Sequence, residues 1–283
     1  MKKILSILLF VLLLPCILFV NGCKQETDFL AKIYEKSVDG KYIYMGEYPQ
    51  SQKVDSVTVS EIPDDNGYYL GSDNERYVKE GNTYFKVEKI KWRILQEKDG
   101  KAFLMSEIVL DLSYFSMDFE TYEEYLEYYG DANLSSYKHS SLRNFLINDF
   151  YNVAFSDKEK EIINLTEVDN SFATLKLDHY LWAGENTLDY VFALSYADVT
   201  NPEYGFINDL NETDLARCID ASDYAYEKGA WAALEEPLAV AFWTRSPCGA
   251  GHAHAVHGYL SDMGDASVGE HNLGVIPAMY ITL

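Results

Sequence analysis

The sequence predicts an α+β domain, because strand patterns occupy both ends of the chain and helix patterns lie between them. Near the start, Ile90, Trp92 and Ile94 alternate with polar or charged residues, as one face of a half-buried strand does. In the middle, apolar residues recur at helix spacing over residues 142–150. At the end, the mostly apolar run 275–283 predicts a terminal strand.

The first strands are predicted from short aromatic and β-branched runs. Residues 42–45 form such a run, and we expect the strand to stop at Gly46. The strand over residues 90–95 is followed by Asp99 and Gly100, a turn signal typical of a β-hairpin. The next strand is therefore expected to pair with it.

The helical middle has capping residues at its predicted helix starts. Either Ser140 or Ser141 can cap the helix that spans residues 142–150. Ser156 and Glu159 have the spacing of a capping box, which predicts a second, short helix.

The N-terminus has the pattern of a secretory leader. Lys2 and Lys3 precede an apolar run over residues 4–20, and Cys23 follows closely. A small residue followed by Cys at this point resembles the bacterial lipoprotein signal, which implies removal of residues 1–22 and acylation of Cys23. The alternatives are a plain signal peptide and an uncleaved N-terminal anchor.

These features predict three segments: a lipoprotein signal peptide over 1–22, a lipidated tether over 23–40 and one domain over 41–283. The acyl chains would anchor the protein in the bacterial cell envelope, facing either the outside or the periplasm. The chain has 45 acidic and 23 basic side chains, a formal net charge of −22. Because such a surface repels phosphates, nucleic acid is not expected as a partner. A binding module of this kind would contact a protein, a glycan or a host molecule.

The C-terminal stretch has an unusual composition. Residues 246–283 contain no Lys or Arg, and most of them are small or turn-forming. We interpret the stretch as exposed loops and a hairpin with its tip near Asp262, since a core strand is seldom built this way. Trp243 and Arg245, just before it, are interpreted as core residues, with the arginine held by a carboxylate.

Seven motifs carry a resemblance to a known family. They are, in chain order, GEYPQ at 46–50, IKWRIL at 90–95, SLRNFL at 141–146, AFS at 154–156, VFALS at 191–195, WTRSP at 243–247 and GVIPA at 274–278. This series resembles a bacterial domain family of unknown function, common in secreted proteins and lipoproteins, with W-L-R-S-P and G-V-R-P-A in its tail. Thr244 and Ile276 depart from that tail pattern, where Leu or Trp and Arg are usual.

The resemblance implies a C-type-lectin-like fold, similar to formylglycine-generating enzymes and retroelement-diversified binding proteins. In the latter proteins the C-terminal region contacts the ligand. On that basis the candidate ligand-binding residues are His252, His254, His257, Tyr259, Asp262, Asp265 and His271.

The histidines also suggest a metal site. His252 and His254 are two residues apart, so on an extended strand both side chains point to the same side. Such a pair can hold Zn²⁺ or Ni²⁺, with His271, Asp262 or Asp265 as further ligands. The alternative is a set of solvent-facing or hydrogen-bonding histidines. Calcium is compatible with so acidic a chain, although no EF-hand loop pattern is present.

Cysteine and motif content limit the enzyme hypotheses. After processing, Cys218 and Cys248 remain, and they can form a disulfide outside the cytoplasm. They lie too far apart in sequence for the close cysteine pair of formylglycine-generating enzymes. No G-x-S-x-G, H-E-x-x-H or phosphate-binding glycine loop occurs, so no catalytic residue is predicted. The leading hypothesis is a membrane-anchored ligand-binding module; the alternatives are an envelope metal-binding protein or metalloenzyme, and a purely structural lipoprotein.

Overall fold

The fold is organised around an eight-stranded antiparallel sheet. The computed structural model describes residues 33–116, 134–208, 213–232, 239–257 and 263–283. The strands of this first sheet are β1 (Glu35–Lys36), β2 (Tyr42–Gln52), β3 (Tyr69–Leu70), β4 (Arg76–Glu80), β5 (Thr83–Lys98), β6 (Lys101–Ser106), β10 (Phe192–Ala193) and β15 (Pro277–Thr282). Their order is β1-β2-β5-β6-β15-β10, with β4 also paired to β5 and β3 paired to β4.

A second sheet of five strands carries most of the C-terminal region. Its strands are β7 (Asp111–Leu112), β11 (Phe242–Gly249), β12 (His252–Val256), β13 (Met263–Ser267) and β14 (Gly274–Val275). The order is β13-β12-β11-β14-β7, and only the β11–β14 pair is parallel. A separate pair consists of β8 (Thr166–Val168) and β9 (Thr187–Asp189).

Short helices lie between the strands. They are α1 (Ser141–Asn144), a π-helical segment (Phe145–Phe150), α2 (Tyr151–Ala154), α3 (Asp157–Lys160), α4 (Tyr196–Val199), α5 (Asp223–Glu227) and four 3₁₀ segments (Tyr137–His139, Phe172–Thr174, Leu177–Trp182 and Pro202–Tyr204). The mixed helix and strand content confirms the broad α+β prediction. One apolar core connects the elements, and it extends from Ile33 to Ile281.

Local sequence signals are confirmed at the helix starts and at the first hairpin. Ser140 caps α1 by accepting a hydrogen bond from the backbone N–H of Arg143 at 3.0 Å. Ser156 and Glu159 form the predicted capping box of α3. The β5–β6 hairpin turns at Asp99 and Gly100, which both have the positive φ of a type I′ turn.

The predicted end of β2 at Gly46 is wrong. The strand continues to Gln52 because its pairing with β5 shifts register between Tyr44 and Glu47. Gly46 lies in this irregularity with φ +68°, a conformation that glycine adopts at little cost. A bulge therefore bends the strand where the sequence suggested that it stops.

The folded region begins earlier than the predicted boundary at residue 41. Ile33 is buried in the core, and β1 pairs with β2 through Glu35 and Tyr44. The predicted signal peptide over residues 1–22 and the lipidation site Cys23 lie outside the described residues. Among the described residues, no helix combines the length and apolarity of a membrane span.

Of the predicted loops and hairpin after residue 246, the hairpin is present as the antiparallel pair β12–β13, and most of the remaining described residues are in strands and not in exposed loops. The predicted tip at Asp262 lies outside the described residues. The central strand β12 is buried from Ala253 to Val256, and Ala255 is completely covered. The small side chains that suggested loops allow neighbouring elements to pack closely over the sheet. Trp243 and Arg245 are buried as predicted, and Arg245 Nη1 lies 2.8 Å from Asp198 Oδ2.

Candidate functional site

The structure separates the predicted histidines. His252 is exposed at the start of β12, whereas His254 is buried, with 2% of its surface accessible. His257 is half-buried after the end of β12, and His271 is exposed near Tyr114. The predicted ligand residues Tyr259 and Asp262 lie outside the described residues. His254 is therefore separated by burial from the exposed His252 and His271, and the predicted residues do not share one surface.

A first grouping lies across three adjacent strands, and we call Cys248, His254 and Asp265 the Cys248 cluster. Cys248 is on β11, His254 on β12 and Asp265 on β13, where His254 and Asp265 are directly opposite each other. One potential ligand atom from each residue lies within 4.8 Å of the other two. The distance between His254 Nδ1 and Asp265 Oδ1 is 3.5 Å.

The cluster differs from the predicted metal site. His254 and Asp265 were among the candidate metal ligands, but the third member is Cys248 and not His252. Three neighbouring strands supply one residue each to the cluster. His252 is only two positions from His254, but it is exposed and does not belong to the cluster.

His179 supports the cluster from the 3₁₀ segment Leu177–Trp182. Its Nδ1 lies 2.9 Å from Nε2 of His254, and the two rings are stacked with centroids 4.9 Å apart. The Tyr196 ring lies against His254 as well, at a centroid distance of 5.0 Å. Sequence reasoning missed His179, because nothing local indicates a contact between residues 75 positions apart.

Burial disfavours the charged forms of His254 and Cys248. Desolvation, followed by the proximity of His179, lowers the pKa of His254 to about 4. Nδ1 of His254 is buried without a hydrogen-bond partner among the described residues. Desolvation, followed by the carboxylate of Asp265, raises the pKa of the Cys248 thiol. The disulfide that the sequence allowed between Cys218 and Cys248 is not formed in the described structure.

A second grouping forms an open cavity of about 330 Å³, which we call the C-terminal groove. Its polar and aromatic lining residues are Trp231, His257, Asp265, Ser267, Glu270 and Asn272. Asp265, whose side chain is 56% exposed, belongs both to this groove and to the Cys248 cluster.

The groove lining includes an exposed indole and two residues whose side chains each have a buried polar atom. Trp231 is 47% exposed, and its backbone N–H donates to the carbonyl of Asn272 at 3.0 Å. Its ring meets His257 edge-on at a centroid distance of 6.2 Å. Nε2 of His257 and Oδ1 of Asn272 are buried and lack hydrogen-bond partners among the described residues. Gly264 lies under His257, because a Cβ there would be 2.3 Å from Nε2.

A further cavity, of about 390 Å³, lies near the start of the fold. Four of its five charged side chains are paired with one another: Arg76 contacts Glu47, and Lys89 Nζ lies 3.4 Å from Glu159 Oε1, while Lys158 is the fifth. Paired charges leave less reason to bind a ligand, so the C-terminal groove is the better candidate.

The sequence model of one protein family, described as a domain of unknown function (DUF6273), matches residues 99–283. The chain belongs to this family. The predicted membership of a domain family of unknown function is thereby confirmed. No curated protein and no solved structure matches the chain.

The DUF6273 match begins at Asp99, in the turn between β5 and β6, so strands β1 to β5 precede it. The seven motifs of the resemblance cover a longer region, since those at 46–50 and 90–95 precede the match. Both the Cys248 cluster and the C-terminal groove lie wholly within the matched DUF6273 residues.

Proposed function

We propose that the chain is a lipid-anchored binding module of the bacterial cell envelope that takes a neutral, hydroxyl-rich ligand in its C-terminal groove. The observation that carries the proposal is the exposed Trp231 ring, which lines the groove together with the exposed carboxylates of Asp265 and Glu270. The ring can pack against an apolar face of a ligand, and the two carboxylates can accept hydrogen bonds from its hydroxyl groups.

The chemistry of the groove favours a glycan over an anionic ligand. An exposed indole offers a flat apolar face, against which the C–H surface of a sugar ring can pack. The carboxylates of Asp265 and Glu270 can accept hydrogen bonds from hydroxyl groups. No Lys or Arg is among the described lining residues, so a phosphate or carboxylate would meet like charge there.

The cellular setting is the second part of the proposal. Acylation of Cys23, supported by the leader pattern, would anchor the chain in the envelope membrane. Mass spectrometry of the protein purified from bacterial membranes should find an acylated Cys23 as the first residue. The Cys23→Ser variant should lack the lipid, and an intact, unmodified leader on the wild-type protein would contradict this part.

The third part of the proposal is that the domain has a C-type-lectin-like fold. The order of the seven motifs and the mixed sheets with short helices support it.

A glycan array tests the binding proposal directly. The full chain, purified in detergent, should bind a subset of neutral glycans on an array of bacterial and host structures. Trp231→Ala should weaken that binding at least about tenfold, since buried aromatic contacts often dominate an interface.

The matched control is Phe172→Ala, which removes another exposed aromatic side chain that does not line the groove. It should bind the same glycans with wild-type affinity. Wild-type affinity in Trp231→Ala, or binding restricted to anionic glycans, would contradict the proposal.

A further inference from the structure

The Cys248 cluster has the composition of a transition-metal site. We propose that Cys248 Sγ, His254 Nδ1 and a carboxylate oxygen of Asp265 together bind one Zn²⁺ ion, with water in the fourth position. Thiolate, imidazole and carboxylate are the three side-chain ligand types of protein zinc sites, and sites with three protein ligands keep one position open.

The orphaned ring nitrogen of His254 is the first reason for the proposal. Only 2% of the surface of His254 is accessible, yet its Nδ1 has no hydrogen-bond partner among the described residues. That nitrogen faces the Asp265 carboxylate at 3.5 Å, on the side where the cluster converges. A bound cation would supply the partner that the nitrogen lacks.

The contact with His179 is the second reason. A histidine that binds metal through one nitrogen usually donates the proton of its other nitrogen to a neighbouring acceptor. His254 Nε2 lies 2.9 Å from His179 Nδ1, so it can donate there and leave the lone pair of its own Nδ1 for the metal. His179 is thus assigned as a positioning residue.

Distance and charge are both compatible with zinc. Bond lengths of about 2.0–2.3 Å place tetrahedral ligand atoms roughly 3.3–3.8 Å apart. The His254–Asp265 separation of 3.5 Å already meets this, and the upper limit of 4.8 Å for the cluster requires only small side-chain movements. On binding, the thiol of Cys248 loses its proton to solvent, and thiolate and carboxylate together balance the two positive charges.

Metal titration of the full chain tests the proposal. The protein is purified in detergent under reducing conditions, stripped with a chelator and titrated with Zn²⁺ against a chromophoric competitor. One equivalent of zinc is expected. Cobalt should give a thiolate-to-metal charge-transfer band in the near ultraviolet, whereas excess Ca²⁺ should not displace the zinc because calcium binds thiolate poorly.

Variants distinguish the cluster from adventitious zinc. Cys248→Ser and Asp265→Asn should each lose the stoichiometric zinc, and Cys248→Ser should also lose the cobalt band. His179→Ala should weaken zinc binding by about 10–100-fold. The matched control is His252→Ala, an exposed histidine two positions from His254 on the same strand, which should bind zinc like the wild type.

Two results would overturn the proposal. One is a folded wild-type chain, judged by its circular dichroism spectrum, that takes up no zinc. The other is Cys248→Ser binding zinc as tightly as the wild type does. Neither result bears on the glycan experiment, in which Trp231→Ala leaves all three cluster residues in place.

Discussion

The hydroxyl of Tyr48 donates a hydrogen bond to Asp111 Oδ2 at 2.6 Å, and both residues are buried. Tyr48 is on β2 of the first sheet and Asp111 on β7 of the second, so this contact ties the two sheets together. Lys228 binds the other carboxylate oxygen of Asp111. Tyr48 also belongs to the first of the seven motifs, which gives that motif a structural role.

Loss of the Tyr48 hydroxyl should destabilise the fold. Tyr48→Phe is expected to lower the free energy of unfolding by about 1.5–3 kcal/mol, the range for a hydrogen bond to a charged group. Urea denaturation followed by circular dichroism measures the change. Tyr114→Phe, at a more exposed tyrosine, should stay within about 0.5 kcal/mol of the wild type. Equal effects of the two changes would argue against a structural role for the Tyr48–Asp111 contact.

Arg245 should not be replaceable by lysine. Its Nη1 donates to the carbonyl of Ala193 and to Asp198 at 2.8 Å each, and its Nη2 donates to the carbonyl of Asp169 at 3.2 Å. A lysine ammonium cannot reproduce this planar arrangement of donors. Arg245→Lys is expected to cost more than about 2 kcal/mol of unfolding free energy, since it breaks a buried ion-pair network. A thermal unfolding midpoint equal to that of the wild type would contradict this role.

Gly46 should be intolerant of any side chain. An added Cβ would lie 2.7 Å from the Phe155 ring, and the backbone has φ +68°. Gly100 has a similar φ of +73°, but no atom of the described residues lies within 4 Å of an added Cβ there. Gly46→Ala and Gly100→Ala therefore share the conformational cost of about 1–2 kcal/mol, and only the former adds the steric one. Denaturant unfolding should show a clearly larger loss for Gly46→Ala.

Glu159 should make stability depend on acidic pH. Burial raises the pKa of its carboxyl, but hydrogen bonds from the Gly46 N–H and from Ser156 outweigh burial and hold the pKa below 4.5. A lowered folded-state pKa stabilises the fold above the unfolded value and ceases to do so as pH falls through the folded one. Glu159→Gln should thus be less stable than the wild type at pH 7, and the difference should shrink below about pH 4.5.

The control for the pH experiment is Glu61→Gln, at an exposed position. Its unfolding free energy should differ little from that of the wild type at every pH. A stability difference for Glu159→Gln that is constant from pH 7 to pH 3 would show that the carboxylate does not act through its ionisation.

Local signals in the sequence predicted local structure well. The caps at Ser140 and Ser156 and the Asp99-Gly100 turn each depend on a few neighbouring residues, and all are present. The burial of β12 was missed because runs of Ala, Gly and His occur both in loops and in tightly packed sheets. Burial from Ala253 to Val256 depends on the strands on either side, which composition does not reveal.

The candidate sites depend even more on distant contacts. The sequence placed His254, His257 and Asp265 among the candidates, and they lie in or beside the two sites. His179 and Trp231 carry no local signal, and Cys248 was expected at most in a disulfide. Strand pairing places His254 opposite Asp265, and Cys248 lies in the β11 irregularity between Pro247 and Gly249. The sequence alone shows neither the pairing nor the irregularity, so it could not favour Cys248 over His252 as the third residue.

The indole N–H signals of the full chain test the central claim most directly. The chain has four tryptophans, and the N–H groups of Trp92 and Trp243 donate to the carbonyls of Met45 and Ser113. With a bound glycan at saturation, the NMR signal of the Trp231 indole should shift, while those of Trp92 and Trp243 stay in place. A glycan that binds without moving the Trp231 signal would contradict binding in the C-terminal groove.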